Sequence, residues 1–275
     1  MSYATLMVHL ALGRPNAGLL KITAELADRF GAGVIAIAAR QPLQMVYGDG
    51  YVSGDLYQED RDEIVKELGV AETEFRAALQ GRVAFVEWRS AQVYAYLADY
   101  IANEARCADL VLTGVASGDF LDASRAVDTG ELIMQAGRPV LIVPTGASSL
   151  TLDHALIGWK DTREARRAVA DSLPLLKHAT RVSIVELARE EDLTAARRHV
   201  DDVVAWLGRH AIRAEGSAQL STGDDASALY AIGQDQGADV VVAGAYGHSR
   251  LREWVLGGVT RDLLLSANRC SLVSH

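Results

Sequence analysis

The chain is poor in several residue types, and each shortage closes off a class of protein. Only two cysteines occur in 275 residues, Cys107 and Cys270, with no CxxC pair and no neighbouring histidine. That excludes a disulfide framework and a thiolate zinc site, and it suits two small thiols in a reducing compartment. No stretch approaches the ~20 uninterrupted apolar residues of a membrane-spanning helix. Met1 to Leu12 has no basic flank and no small-residue cleavage signature, so no signal peptide is read and a cytoplasmic location is expected. Basic residues are in deficit: 27 Lys and Arg against 36 Asp and Glu leave a net charge of −9. A general nucleic-acid or membrane-surface binder needs a basic face, so neither is expected as a partner.

Motifs are missing too. There is no GxxxxGK[ST] phosphate loop and no GxSxG nucleophile elbow. Gly31-Ala32-Gly33-Val34-Ile35-Ala36 fits a dinucleotide-binding pattern as a string of letters. It lies after a helix and before a strand, the reverse of what a pyrophosphate turn requires. None of the seven histidines stands in metal-ligand spacing with Cys, Asp or Glu, so no metal site is expected.

What is present repeats itself. Ala108-Asp109-Leu110-Val111-Leu112-Thr113-Gly114 returns as Ala238-Asp239-Val240-Val241-Val242-Ala243-Gly244, an offset of 130 residues (239 minus 109). A period this long signals a duplicated domain rather than a solenoid. The turn-rich run Pro144-Thr145-Gly146-Ala147-Ser148-Ser149 separates the copies, giving expected domains at residues 1–147 and 148–275. In each copy short apolar strands alternate with amphipathic helices. In the first, strands are expected near 5–12, 33–39, 83–88, 109–113 and 139–143, with helices near 17–30, 56–79, 93–106 and 124–136. In the second, strands are expected near 155–158, 181–187, 213–220, 239–243 and 271–274, with helices near 163–176, 194–209, 226–236 and 259–267. The pattern implies an α/β fold: two tandem open five-stranded parallel sheets, each covered by helices on both faces.

Ligands in such sheets bind beyond the carboxyl ends of the strands. Two strand ends in the second copy carry suitable residues. Val240-Val241-Val242-Ala243 runs into Gly244-Ala245-Tyr246-Gly247-His248, and Gly257-Gly258-Val259-Thr260 follows nine residues after Gly247. Paired glycines allow positive φ or close backbone approach, and amides at a helix start suit a phosphate. At the other strand end stand Trp159-Lys160-Asp161. Asp161 can accept a hydrogen bond from an exocyclic amine or a ribose hydroxyl. The plain alternative is that the glycines only make turns and that Asp161 caps the helix starting near Arg163.

With these residues in view, the second half resembles a universal stress protein domain of the ATP-binding type. That pattern is G-x-x-G, nine residues, then G-[S/T]. The spacing is kept, with Gly258 where Ser or Thr is usual. The resemblance implies a nucleotide site formed by Trp159, Lys160, Asp161, Val185, Ala243, Gly244, Gly247, His248, Gly257, Gly258, Val259 and Thr260. Val185 would face the adenine. It implies ATP as cofactor, with or without Mg2+, a stress-response or regulatory role, and no catalytic residue beyond what a slow ATPase would need. An interaction module that acts without nucleotide is the alternative, as is a protein partner of unknown kind. The first half departs from the pattern. Gly13-Arg14-Pro15-Asn16 has no aspartate, Ser117 replaces the second glycine, and Asp128 stands where the family supplies amides. The first half is therefore expected not to bind ATP and to act as a pseudo-subunit. The family pairs through its last strands, which implies a seam between Val140–Val143 and Leu272–Ser274 and leaves a homodimer open.

Overall fold

The computed structural model describes residues 2–43, 54–115, 125–245 and 269–275. In chain order the elements are β1 (Thr5–His9), α1 (Ala17–Phe30), β2 (Gly33–Arg40), α2 (Gly54–Leu79), β3 (Val86–Gln92), α3 (Leu97–Glu104), β4 (Leu110–Gly114), α4 (Thr129–Ala136) and β5 (Val140–Val143). They continue with β6 (His154–Trp159), α5 (Arg163–Leu176), β7 (Arg181–Ala188), α6 (Leu193–Arg209), β8 (Ala214–Leu220), α7 (Asp225–Asp235), β9 (Val240–Gly244) and β10 (Cys270–Ser274). The helix expected near 259–267 lies outside the described residues.

All ten strands form one sheet in the order β3-β2-β1-β4-β5-β10-β9-β6-β7-β8. Read outward from the middle, each block of five has the same order. Every pairing within a block is parallel. The blocks meet at one antiparallel pair, β5 with β10, which sets Val140 opposite Val273, Leu141 opposite Leu272 and Ile142 opposite Ser271. The seam implied by the family resemblance is this pair. The pair joins the two expected five-stranded sheets into one. The reason is that β5 and β10 are short, apolar and buried, so each closes its open edge on the other.

The strands near the middle read as continuous apolar runs because helices cover both their faces. Leu6, Val8, Val34, Leu110, Leu112, Leu141, Val240, Val242 and Leu272 share one apolar cluster with Leu20, Phe75, Ala168, Leu176 and Val200. These last residues come from α1, α2, α5 and α6, so one face of the sheet is covered continuously across both blocks. On the opposite face α3 and α4 cover the first block, and Leu229 of α7 packs on Leu156, Val185 and Val241 in the second. Contacts between the blocks continue outside the sheet. The Tyr3 hydroxyl donates to the Asp171 carbonyl oxygen at 2.7 Å, and the Phe30 ring meets both Tyr3 and His178 edge-on.

The larger boundary differences from the sequence expectation are in β1, β3, α3 and α4, and α3 starts at Leu97 rather than near 93. β1 ends at His9 rather than near residue 12; its last pairs are His9 with Ile37 and His9 with Thr113. β3 runs over 86–92 rather than 83–88, since its first partner is Val34 and β2 offers partners as far as Arg40. α4 starts at Thr129, where the Asp128 side chain accepts from the Glu131 amide at 3.0 Å. Asp128 is thus a helix cap.

Leu272 is fully buried at the seam. Leu272→Ala should cost about 2–5 kcal/mol through lost transfer energy and a residual cavity. Chemical denaturation should show a lowered midpoint; an unchanged midpoint would contradict the view that the seam is part of the common core.

Candidate functional site

β6, β7 and β9 are adjacent and parallel, so their carboxyl ends form one rim. Trp159 ends β6 and stands opposite Glu186 of β7 in register. Register partners on parallel strands point to the same face, here the face of α5 and α6. Both side chains are buried, Trp159 at 8% and Glu186 at 6% exposure. Each has a polar atom with no hydrogen-bond partner: the indole Nε1 of Trp159 and Oε2 of Glu186. A buried polar group left in this state costs about 1–3 kcal/mol. Here the two are complementary, a donor beside an acceptor, at the end of the sheet.

The rim is charged. The Lys160 ammonium lies 3.7 Å from Asp225. His199 of α6 approaches Glu186 at 3.5 Å. Burial raises the Glu186 carboxyl above the usual glutamate value, and Asp161 raises it further, while His199 and Lys160 oppose the rise. Asp161 itself is about half-exposed, and Arg166 donates to its Oδ1 at 2.6 Å. That hydrogen bond holds the Asp161 carboxyl below the ordinary aspartate range. Asp161 does not cap α5; the Thr162 hydroxyl does, accepting from the Ala165 amide at 3.3 Å.

The sequence-derived site residues therefore divide. Trp159, Lys160 and Asp161 lie together on the rim, with Ala243 and Gly244 at the neighbouring end of β9. The Val185 side chain is fully buried under α7 with Leu156, Leu229 and Val241. Gly247, His248, Gly257, Gly258, Val259 and Thr260 lie outside the described residues. Gly244 has a packing reason for being glycine. A Cβ there would stand 2.4 Å from the Ala165 nitrogen and 2.5 Å from the Glu164 carbonyl carbon. The first turn of α5 rests directly on the backbone of β9. Glu186 is the residue that the motif reading passed over. Its signal was present: one carboxylate inside the apolar strand Val182-Ser183-Ile184-Val185-Glu186-Leu187. Among the described residues no group of three or more His, Cys, Asp or Glu side chains is placed to hold a metal ion. None of the described helices is long and apolar enough to cross a membrane.

The same strand ends in the first block carry different residues. Leu6 faces Leu110 and Ala155 faces Val240. The sequence repeat equates Leu110 with Val240, so His9 takes the place of Gly158, Leu12 that of Asp161 and Thr113 that of Ala243. By the same register Ala38 takes the place of Glu186. His9 is buried, and its Nδ1 lies 3.0 Å from the Thr113 hydroxyl oxygen.

Against known proteins, no protein-family model and no curated protein matches the chain. Solved structures do. A universal stress protein from Archaeoglobus fulgidus superposes with a TM-score of 0.73 at 14% identity, covering 98% of this chain and 95% of that one. A functionally unknown protein from Pseudomonas aeruginosa gives 0.63 at 14% identity, covering 99% of this chain and 92% of that one. The chain has the universal stress protein fold. At this identity the likeness extends to the fold, which spans both blocks of the sheet.

Two outcomes follow. Gly244→Ala should destabilise the protein by about 1–3 kcal/mol, because the α5 backbone must move. A thermal melt like that of the unsubstituted protein would show that the contact is slack. Burial also lowers the His9 pKa to about 4, against about 6.5 in an unfolded chain. The unfolded state then binds the extra proton first as pH falls. Stability is full above about pH 6.5 and declines by about 3 kcal/mol toward pH 4. His9→Gln should flatten that part of a stability-versus-pH curve; an equally steep curve would refute the assignment.

Proposed function

We propose that this is a tandem universal stress protein, divided at residues 147/148, that binds an adenine nucleotide in its C-terminal half and serves a stress-response or regulatory role. The observation that carries this reading is the pair of unsatisfied buried atoms at the rim. The Trp159 Nε1–H needs an acceptor, and Glu186 Oε2, which has the His199 Nδ1 no nearer than 3.5 Å and no hydrogen bond, can take a closer donor. The ring-nitrogen and amine edge of adenine supplies both. Asp161 and Lys160 sit beside this pair, with Asp161 suited to a ribose hydroxyl and Lys160 to a phosphate. Gly247, Gly257, Gly258 and Thr260 complete the reading from sequence spacing, as the amides that would hold the phosphates. The ligand is ATP or a related adenine nucleotide, with or without Mg2+. No hydrolytic step is assigned.

The alternative, a nucleotide-independent interaction module, draws on two features. Gly258 removes a hydroxyl from the motif, and Asp161 is already engaged by Arg166 at 2.6 Å. A homodimer would have to use a surface other than the last strands, since β5 and β10 satisfy each other within the chain.

Isothermal titration with ATP separates the readings. Heat at tens of micromolar protein, lost by tenfold or more in both Asp161→Ala and Glu186→Gln, is the expected result. Absence of heat with the intact protein would leave the interaction module. Glu186→Gln has a second signature. A carboxyl whose folded pKa is raised binds more protons in the native state, so it costs stability as pH rises through its titration. The glutamine variant should therefore melt higher than the parent at neutral pH while binding ATP more weakly.

A further inference from the structure

The first half contains a cavity of about 500 Å³ at the carboxyl ends of β1, β4 and β5. That volume lies in the range of small-molecule sites. We propose that it binds a neutral small molecule carrying a hydroxyl on an apolar body, with the body against the cavity walls and the hydroxyl on Nε2 of His9. This goes beyond the nucleotide reading and does not rest on it, since the residues and the half of the chain are different.

The walls set the body of the ligand. Leu12, Leu19, Val115, Val127, Val143 and Pro144 line the cavity. Covering such walls with an apolar body is favourable in proportion to the area taken from water. Arginines reach the same lining, but they are already engaged. Arg40 pairs with Glu67 at 2.5 Å and Arg125 pairs with Asp60, and none of Arg14, Arg40 and Arg125 is free. An anion would have to compete with the carboxylates that Arg40 and Arg125 hold. The Asn16 amide is satisfied as well, by the backbone of Ala11 and Arg14. Two strand-end places that carry acids in the second half are apolar here: Leu12 stands where Asp161 does, and Ala38 where Glu186 does.

His9 sets the polar group. It is 6% exposed and lines the cavity together with Thr113. Its Nδ1 lies 3.0 Å from the Thr113 hydroxyl oxygen, a contact that fixes the ring. Burial lowers the His9 pKa to about 4, so the imidazole is neutral near pH 7. A neutral imidazole has one donor and one acceptor nitrogen. Nδ1 is spent on Thr113, and Nε2 makes no hydrogen bond to a described residue. A buried polar atom in that state is costly, and a ligand that satisfies it gains affinity. A hydroxyl both donates and accepts, so it serves Nε2 in either tautomer. A neutral hydroxyl also enters an apolar cavity at far lower desolvation cost than an ion does. The second half has Gly158 and Ala243 at the places of His9 and Thr113, so the arrangement is particular to the first.

The test is calorimetric titration of the full chain at neutral pH with 2-naphthol, naphthalene and 2-naphthyl phosphate, repeated on His9→Phe and on Val115→Phe, which fills the cavity. Only heat that disappears in Val115→Phe is assigned here, which separates this site from anything bound in the second half, whether or not ATP binds there. 2-Naphthol should bind at one per chain and weaken at least fivefold in His9→Phe, with far-ultraviolet circular dichroism unchanged in both variants. Naphthalene should bind the parent at least fivefold more weakly than 2-naphthol does, and should bind parent and His9→Phe alike. 2-Naphthyl phosphate should bind at least tenfold more weakly than 2-naphthol. If His9→Phe fails to fold, the imidazole nitrogen NMR spectrum of the parent decides: the His9 Nε2 signal should shift with 2-naphthol and stay in place with naphthalene. Three results would overturn the proposal: no Val115-dependent heat with 2-naphthol up to its solubility, a 2-naphthol affinity or Nε2 signal that shows no part for His9, or 2-naphthyl phosphate binding as tightly as 2-naphthol.

Discussion

Three residue pairs between β5 and β10 carry the continuity of all ten strands. Each block alone would end in a short apolar strand with unpaired amides and carbonyls, a surface that invites association. Pairing the two ends removes both edges at once and lets the apolar cluster run from α1 and α2 to α5 and α6 without a break. The sheet's outer edges, β3 and β8, are less buried than its centre. The architecture therefore has one dry middle and two strand-end rims, one in each block.

Those rims share a scaffold and differ in chemistry. Parallel register places equivalent positions at equivalent depths, so a few substitutions decide what each rim recognises. In the second block a tryptophan and a carboxylate are buried with unsatisfied polar atoms, next to an exposed aspartate and a lysine. In the first block the same strands end in a histidine, a threonine, a leucine and an alanine, beneath three arginines. On the proposed reading, the rim of the second block accepts an amine and donates to a ring nitrogen. Both rims stand on the same strand topology.

Much of this was legible in the sequence. Apolar runs bounded by turns located nearly every strand, because strands buried on both faces need no alternation to be recognised. The 130-residue repeat implied two blocks of one topology. Strand limits were less legible, because they depend on partners. β3 slid toward Gln92 since β2 is long enough to pair with it there, and nothing local in 83–92 encodes that. The site was legible in part. Asp161 stood out by its place after an apolar strand. Glu186 did not, because a single acid in a strand acquires meaning only when register sets it beside Trp159. Gly244 attracted a ligand-based explanation, while the structure supplies a steric one in the first turn of α5. The His9 and Thr113 pair was invisible, since the residues are 104 apart in the chain and meet only through the β1–β4 ladder.

The central claim is that buried, unsatisfied groups at the end of β6 and β7 await an adenine edge. The most direct measurement follows the indole Nε1 proton of Trp159 by NMR, assigned through its loss in Trp159→Phe, during titration with ATP. Formation of a hydrogen bond to the ligand should move that resonance strongly downfield and slow its exchange with solvent. A Trp159 resonance unmoved at saturating ATP would contradict the account.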